Sequence, residues 1–403
     1  MRIDRYVGLP LAYAINVLIR IVGKLLRLDH SLDRSFKTIA VAKYKGLGSI
    51  VQATPLLQTL RKQYPEARLL FITTHANKAL AERLTMVDEV LVLNDGHFLQ
   101  AIASVGRLMV QLWKRRIGVF LDLEIYSNAS SLITSFSLAR NRMGYYLRSS
   151  NYRLGMYTHM MFYNIQSPVS EAYLQFARLL GCKDIIKELY PFSSDAPINE
   201  NVKKPYLLIN PNASDLRIER RWSAEQFVQL IDALRVKHPD KQIVLIGSNS
   251  EANYVDGLVS RLKNTEGVEN LAGKTSLDEL IALISHARLM ITNDTGPMHL
   301  GFAQKIPIVA LFGPCSPDQY GQRDNTAVIY KNVYCSPCVH EFKSPPCKGN
   351  NLCMQLISVE EVLRAVENRL QLTDIPYSQA EEKVVYRVSN KGGNAYTLGM
   401  VYR

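Results

Sequence analysis

The sequence predicts an α/β protein made of two Rossmann-like, doubly wound halves. Three observations carry this. Short apolar runs alternate with helical patterns along most of the chain. The alternation breaks once, near the middle, and then restarts. The 403 residues are too many for one ordinary domain and comfortable for two.

Taken in order, Thr38–Tyr44 reads as a strand, followed by Gly46-Leu47-Gly48 and a helix over roughly Ile50–Gln63 that tolerates Pro55 near its start. Arg68–Thr73 is a strand and Ala76–Leu84 a helix; Glu89–Leu93 is a strand and Leu99–Lys114 a helix. Ile117–Leu123 is a strand, with a helix near Ser130–Ala139 and one more strand over Arg142–Tyr146. Residues 183–204, with Pro191, Ser193-Ser194, Pro197 and a polar run from Asn199 to Lys204, read as a linker. The second half has strands at Tyr206–Asn210, Gln242–Ile246, Leu289–Thr292 and Ile308–Phe312. Its helices are Ala224–Val236, Glu251–Leu262, Leu277–Ala287 and Val359–Leu370. The predicted organisation is an N-terminal helix (1–30), a first α/β half (31–182), the linker (183–204), a second α/β half (205–371) and a tail (372–403). In the tail, Val384–Val388 and Tyr396–Val401 alternate enough for strands around Lys391-Gly392-Gly393-Asn394, giving a hairpin or a mobile end.

The chain is 47% hydrophobic, which suits a packed enzyme-like protein, and carries a formal net charge of +12. Such an excess favours anionic partners: nucleotide phosphates or acidic lipid head groups. The basic residues are scattered, with no Lys/Arg block of the nucleic-acid type, so nucleic acid is not expected as a partner. Val7–Leu26 is mostly apolar but is interrupted by Arg20 and Lys24, and it has no clear cleavage site. It is too broken for a spanning helix and reads as a basic amphipathic helix on the inner membrane surface, or as a helix packed on the protein's own core.

Cys182 and Cys315 stand alone, whereas Cys335, Cys338, Cys347 and Cys353 form a C-x2-C-x8-C-x5-C cluster. Thiolates at this spacing can hold a structural zinc; reduced thiols and disulfides are the alternatives. The absence of an export signal disfavours disulfides.

The stretch Ile291–Leu300 carries the strongest functional signal. A buried strand opens into Thr292-Asn293-Asp294-Thr295-Gly296-Pro297, and a helical pattern containing His299 follows. A hydroxyl, turn amides and the positive end of a helix dipole suit a diphosphate, and Gly296 lets a ligand approach the backbone closely. An ordinary βα loop, capped by Asp294 or Thr295, is the alternative.

With these residues in view, the chain resembles glycosyltransferase family 9, the group containing the ADP-heptose:lipopolysaccharide heptosyltransferases. The matching pieces are Asn210-Pro211-Asn212, Arg221-Trp222-Ser223, Ile246-Gly247, Leu271 to Leu277, Thr292 to Leu300, Leu311-Phe312-Gly313-Pro314, Cys335-Ser336-Pro337-Cys338 and Cys353-Met354. In the first half, Lys45-Gly46-Leu47-Gly48 through Pro55, then Tyr64-Pro65, match the family's opening strand, loop and helix. The resemblance implies a GT-B architecture, two Rossmann-like domains facing a central cleft, with the nucleotide-sugar donor on the C-terminal domain and the acceptor on the N-terminal one. On the same resemblance Asp294, Thr295, Gly296 and His299 hold the donor diphosphate, with His299 one helical turn after Thr295. Arg220 takes the place of a family lysine at the diphosphate, with Arg217 or Arg221 as substitutes. Glu251 accepts from ribose hydroxyls or merely opens its helix, Thr275 offers a hydroxyl, and Asn212 belongs to the donor set.

One departure stands out. Where the resemblance expects an Asp acting as general base after Gly48, this chain has Ser49, a poor base by itself. Glu124 is the preferred replacement and Asp122 the second; two residues apart, they are expected on one side of the strand end. The reaction implied is a single displacement with inversion, needing no metal for the chemistry. A sugar, with heptose from ADP-heptose as first guess, passes to a lipopolysaccharide-core or other lipid-linked glycan at the cytoplasmic face of the inner membrane. The rivals are a nucleotide-binding relative that has lost catalysis, which Ser49 favours, and a GT-B enzyme using another nucleotide sugar. A dehydrogenase is disfavoured because Gly46-Leu47-Gly48 lacks the third glycine of the dinucleotide fingerprint.

Overall fold

The structure, a computed structural model, describes residues 9–26, 29–147, 153–203, 205–213, 215–322, 324–339, 345, 347, 350–374, 385–389 and 397–401. The chain divides into two compact units, Met1–Tyr190 and Pro191–Arg403.

Unit 1 contains, in order, α1 (Leu9–Leu26), β1 (Thr38–Ala42), α2 (Leu47–Gln63), β2 (Arg68–Thr74), α3 (Lys78–Ala81), β3 (Glu89–Leu93) and α4 (Phe98–Arg115). Then follow β4 (Val119–Asp122), α5 (Asn128–Phe136), β5 (Asn141–Tyr146), β6 (His159–Phe162) and α6 (Val169–Leu179). The strands form a parallel sheet in the order β3-β2-β1-β4-β5-β6. All five residues of β1 are buried because helices cover both faces of the sheet. Ala40, Ala42, Leu70, Ile72 and Phe120 share one core with Leu108, Met109 and Leu112 of α4 and Ile133 of α5. α2 packs against α6. Pro55 sits inside α2 without breaking it, because the Thr54 hydroxyl donates to the Val51 carbonyl that a prolyl nitrogen cannot serve (2.7 Å).

Unit 2 contains β7 (Tyr206–Asn210), α7 (Ala224–Lys237), β8 (Gln242–Leu245), α8 (Ala252–Val259), β9 (Val268–Asn270), α9 (Leu277–His286) and β10 (Leu289–Asn293). It continues with α10 (Gly296–Ala303), β11 (Ile308–Phe312), α11 (Pro317–Tyr320), β12 (Thr326–Tyr330), α12 (Leu352–Gln355) and α13 (Val359–Asp374). Its parallel sheet runs β12-β11-β10-β7-β8-β9. Each sheet has its first and fourth strands as central neighbours, the doubly wound order in which the crossovers reverse direction. A two-stranded antiparallel hairpin, β13 (Val385–Ser389) and β14 (Thr397–Val401), closes the chain. Val384, Tyr396 and the Lys391–Asn394 turn lie outside the described residues.

Several expectations are corrected. β6 and α6 in unit 1, and β9 and β12 in unit 2, were not predicted. β6, β9 and β12 are edge strands, and β9 reads Val-Glu-Asn with every residue half-buried, so no apolar run marks it. The helix over Ala76–Leu84 shrinks to a 3₁₀ turn, His75–Asn77, and one α-helical turn. The stretch from 183 to 190 is laced to α2: Ile186 N donates to Thr59 Oγ1 (3.0 Å) and Tyr190 N to Thr54 Oγ1 (2.9 Å). α1 buries Ala12, Ile15 and Asn16 against α5 while its other side is exposed. Among the described residues no helix is long and apolar enough to cross a membrane.

The zinc expectation finds no support among the described residues. All six cysteines are free, and among the described residues no group of three or more His, Cys, Asp or Glu is placed to hold a metal ion. Cys353 belongs to the unit 2 core, packed beneath Gly313, where a Cβ would stand 3.1 Å from its sulfur. Burial first, then the nearby thiols of Cys338, Cys335 and Cys347, push its thiol up to about 12.

Candidate active site

In a doubly wound sheet, ligands sit beyond the strand ends where the order reverses. In unit 1 that place lies between β1 and β4, in unit 2 between β7 and β10.

In unit 1, β1 gives way to Lys43-Tyr44-Lys45 and then Gly46, whose φ of +87° is the left-handed region a glycine permits, just before α2 begins. Glu124, just past β4, reaches across. Its Oε1 accepts from the backbone N–H groups of Tyr44 (2.8 Å) and Lys45 (3.1 Å), and its Oε2 pairs with Lys43 Nζ at 2.9 Å. Burial opposes its charge, but Lys43 and the two amides outweigh burial and hold the carboxyl below its usual range. Ser49 is half-buried in the first turn of α2, and its side chain shares a hydrogen bond with the Tyr173 phenol of α6. Burial and the nearby Glu124 charge push that phenol well above its ordinary range.

Asp122 faces elsewhere. β4 ends at Asp122, so the two-residue strand period no longer relates it to Glu124, and the two carboxylates do not share a side. Asp122 is fully buried: Oδ1 accepts from Ser130 Oγ and Glu124 N (3.0 Å), and Oδ2 from Tyr157 OH (2.6 Å) and Thr134 Oγ1 (3.2 Å). Burial pushes its carboxyl upward against those donors. It ties β4 to α5 and to Tyr157. Arg153, also fully buried, donates to the carbonyls of Ile125 (2.6 Å) and Ser127 (2.8 Å) and braces the loop that carries Glu124.

In unit 2 the strand ends are joined by neutral amides. Asn210 Nδ2 donates to Thr292 Oγ1 (3.2 Å) and Thr295 Oγ1 (2.7 Å), and Asn212 Nδ2 donates to Asn210 Oδ1 (3.1 Å) and the Ile246 carbonyl (2.7 Å). Asn293 Nδ2 donates to Asn212 O (2.9 Å) while its Oδ1 accepts from Trp222 N (3.2 Å). Gly247 is required here, since a Cβ would meet Asn212 Nδ2 at 2.7 Å. Trp222, fully buried, donates its indole N–H to the Ile357 carbonyl (3.0 Å) and so anchors the 3₁₀ segment Asp215–Arg220 that delivers Arg220.

Arg220 pairs with Asp294 Oδ2 at 3.5 Å, its side chain 23% exposed against 3% for Asp294. Burial opposes the guanidinium charge, but Asp294, then Cys315, Tyr320 and Glu219, raise its pKa overall. Arg221 lies over the Tyr254 ring at 3.9 Å instead, and Arg217 sits at a kink with φ −151°. Thr295 and Gly296 are accessible at the start of α10, where Pro297 brings no N–H and the amides of Gly296 and Met298 precede the helical ladder. His299 is inside: it is buried, 3.9 Å from Asp294 Oδ1, with edge contacts to Phe302 and Tyr320. α10 is buried from Met298 to Ala303, so a residue one turn after Thr295 faces the core rather than the anion side. Burial lowers its pKa to about 4, so the ring is neutral at physiological pH. Glu251 closes a capping box, its Oε2 accepting from Ser248 N and Oγ (both 2.8 Å), and Thr275 stands half-buried next to Ser276, the N-cap of α9.

Sequence reasoning missed Lys43, Tyr173, Arg153 and Asn210 as parts of these sites. A lysine directly after the all-apolar TIAVA strand was a usable signal for the first. Tyr173 and Arg153 had none, because their partners lie far along the chain.

Known proteins share this chain's family and fold. Glycosyltransferase family 9 (heptosyltransferase) matches residues 124–348, more than half of the chain. Lipooligosaccharide heptosyltransferase 2 of Campylobacter jejuni is 25% identical over 330 residues, 81% of this chain and 96% of that protein. Among solved structures, a family 9 glycosyltransferase from Veillonella parvula has a TM-score of 0.68 at 22% identity, covering 85% of this chain and 99% of its own. The E. coli ADP-heptose lipopolysaccharide heptosyltransferase II has a TM-score of 0.65 at 21% identity, covering 84% and 100%. These two share the α/β GT-B fold with this chain.

Proposed function

This chain belongs to glycosyltransferase family 9, and from that premise we propose that it moves a heptosyl group from ADP-heptose, with inversion, to a lipopolysaccharide-core or other lipid-linked glycan. Lipooligosaccharide and ADP-heptose appear in the names of the relatives it resembles, and the residues at its strand ends suit that chemistry.

The observation that carries the reading is in unit 2. A guanidinium fixed on Asp294 stands beside a turn whose amides head into α10. In this reading those amides and the Thr295 hydroxyl receive the donor diphosphate, and Arg220 stabilises the charge that grows on the departing nucleoside diphosphate. No metal is needed for that step. Asn210 and Asn212 set the turn, Glu251 Oε1 and Thr275 lie on the ribose side, and neutral His299 supports Asp294 from below. The division of labour is that the second α/β half (205–371) binds donor and the first (31–182) acceptor. Glu124 takes the acceptor proton. Its low pKa is adequate because the hydroxyl turns acidic only as its bond to the anomeric carbon forms. The enzyme works at the cytoplasmic face of the inner membrane, held there by α1.

Calorimetric titration with ADP, UDP and GDP, followed by turnover of ADP-heptose on a lipid-linked core acceptor, tests this. Micromolar binding of ADP alone, lost in Thr295→Ala and Arg220→Ala, is expected. Failure of all three nucleotides to bind overturns the donor assignment. ADP binding without turnover favours the reading in which Ser49 marks lost catalysis.

A further inference from the structure

On one face of the unit 1 sheet, α4, α5 and α1 lie side by side. α5 joins the other two: Trp113 Nε1 of α4 donates to the Phe136 carbonyl (2.8 Å), and Leu132 packs with Ala12, Ile15 and Met156. The outward surface of this layer is unlike that of an ordinary surface helix, whose solvent side is charged. In α4, Leu108, Met109 and Leu112 point to the core. Opposite them Leu99, Ile102, Val110 and Trp113 are 76, 54, 45 and 47% exposed. Their spacing puts them on a single stripe, which holds no charge along the whole helix. α1 repeats the arrangement, with Leu11, Leu18, Ile21 and Leu25 exposed opposite buried Ala12 and Ile15. Phe136 at the end of α5 and Leu138 just beyond it are also exposed.

Within the three helices the charges have one sign, the nearby acidic Asp29 being paired with Arg34 and Arg140. No acidic residue occurs in α1, α4 or α5, while exposed Arg107, Lys114 and Lys24 flank the apolar faces. A second copy of the chain docked on this face would bring cations against cations. An anionic bilayer offers both complements at once, acidic head groups for the cations and acyl chains for the stripes.

We infer that the three-helix face of unit 1 lies on an anionic lipid surface, with α4 inserted beside α1 so that the anchor is a platform rather than a single helix. This rests on the membrane reading above and extends it to a second helix. A platform fixes the orientation of unit 1 at the lipid, where one helix would leave it free to swing. Trp113 sits at the boundary, where indoles are favoured.

The full-length protein carries its own probe, because it has two tryptophans and the other, Trp222, is fully buried. Flotation with phosphatidylglycerol/phosphatidylcholine vesicles, against phosphatidylcholine alone, is combined with quenching by bromine-labelled acyl chains. The expected result is flotation on the anionic vesicles only, a blue shift of Trp113 emission, and its quenching. A Leu99→Glu/Ile102→Glu variant, with an unchanged circular dichroism spectrum and thermal melt as its folding control, is expected to float at least tenfold more weakly. Flotation that Leu18→Glu/Ile21→Glu abolishes, with the α4 variant floating normally and Trp113 unquenched, overturns the platform and leaves the single-helix anchor standing. No flotation on either vesicle overturns both. Equal flotation on neutral vesicles overturns the electrostatic part, and concentration-dependent dimers without flotation assign the face to a second copy. Quenching is read on the unaltered chain, so it decides the matter even if a variant fails to fold.

Discussion

The two strand-reversal points use the same topology and spend their polar groups in opposite ways. In unit 1 the amides past β1 are already taken: Tyr44 and Lys45 donate to Glu124, which Lys43 neutralises. In unit 2 the strand ends are tied by asparagine side chains, so the amides that head α10 are not consumed by a carboxylate, and Arg220 stands beside them. A site that has satisfied its own donors has nothing to offer an anion, whereas one that keeps them is ready for a diphosphate. The contrast teaches that the doubly wound order fixes where a ligand goes, and the residue type at the crossing decides whether it is a neutral hydroxyl or a phosphate.

The comparison breaks most visibly at Glu124. Glu124→Gln keeps an oxygen for the two amides but removes the proton acceptor, so kcat should fall by about 10²–10⁴ with a small change in KM. A drop confined to thermal stability would make Glu124 a clamp alone. Arg220→Ala should cost about 10²–10³ in kcat and weaken ADP binding, with Arg220→Lys recovering part of both. Unchanged ADP affinity would remove the cation from the donor site.

His299 sharpens the unit 2 side through pH. Its folded pKa, about 4, lies below the unfolded value near 6.5, so the unfolded state binds the extra proton first. The stability it contributes is intact above pH 6.5 and is lost as pH falls from there towards 4, on the order of 2–3 kcal/mol in all. Denaturant melts of wild type and His299→Gln across that window should converge as pH drops; parallel curves would show the ring is not buried neutral. Asn210→Ala frees the Thr295 hydroxyl and should weaken ADP binding by about 1 kcal/mol, read by calorimetry. The smallest effect is expected at Asp122: Asp122→Asn should leave kcat within about threefold, because the residue reaches no substrate. A larger kinetic loss would return it to the catalytic set.

Much of the fold was legible. Strands such as β1, β10 and β11 announce themselves as apolar runs because helices cover both faces of each sheet. Position at an edge did not decide this: the edge strand β3 was read from its apolar run, β9 (Val-Glu-Asn) has none to read, and β6 and β12 were missed although both are largely apolar. The donor turn at Asp294–Gly296 could be read because a strand, a tight turn and a helix start are local in sequence. Glu124 was placed at a strand end correctly, but its engagement was not foreseen, because Lys43 and Tyr44 are some eighty residues away. His299 went the other way: helical spacing put it on the anion side, and the burial of α10 turned it inward.

By itself, then, the sequence determined the two α/β halves, the family resemblance and the strand, tight turn and helix start around Asp294–Gly296. Each of these rests on neighbours within a turn or a strand. Only the tertiary structure decided that Asp122 is buried on its own set of donors, that Cys353 packs into the unit 2 core, that Glu124 clamps β1 to β4, and that α1 and α4 each carry an exposed apolar stripe. Those outcomes depend on burial and on partners distant in the chain, and the strength of a charge or thiol is set by the surroundings that folding supplies.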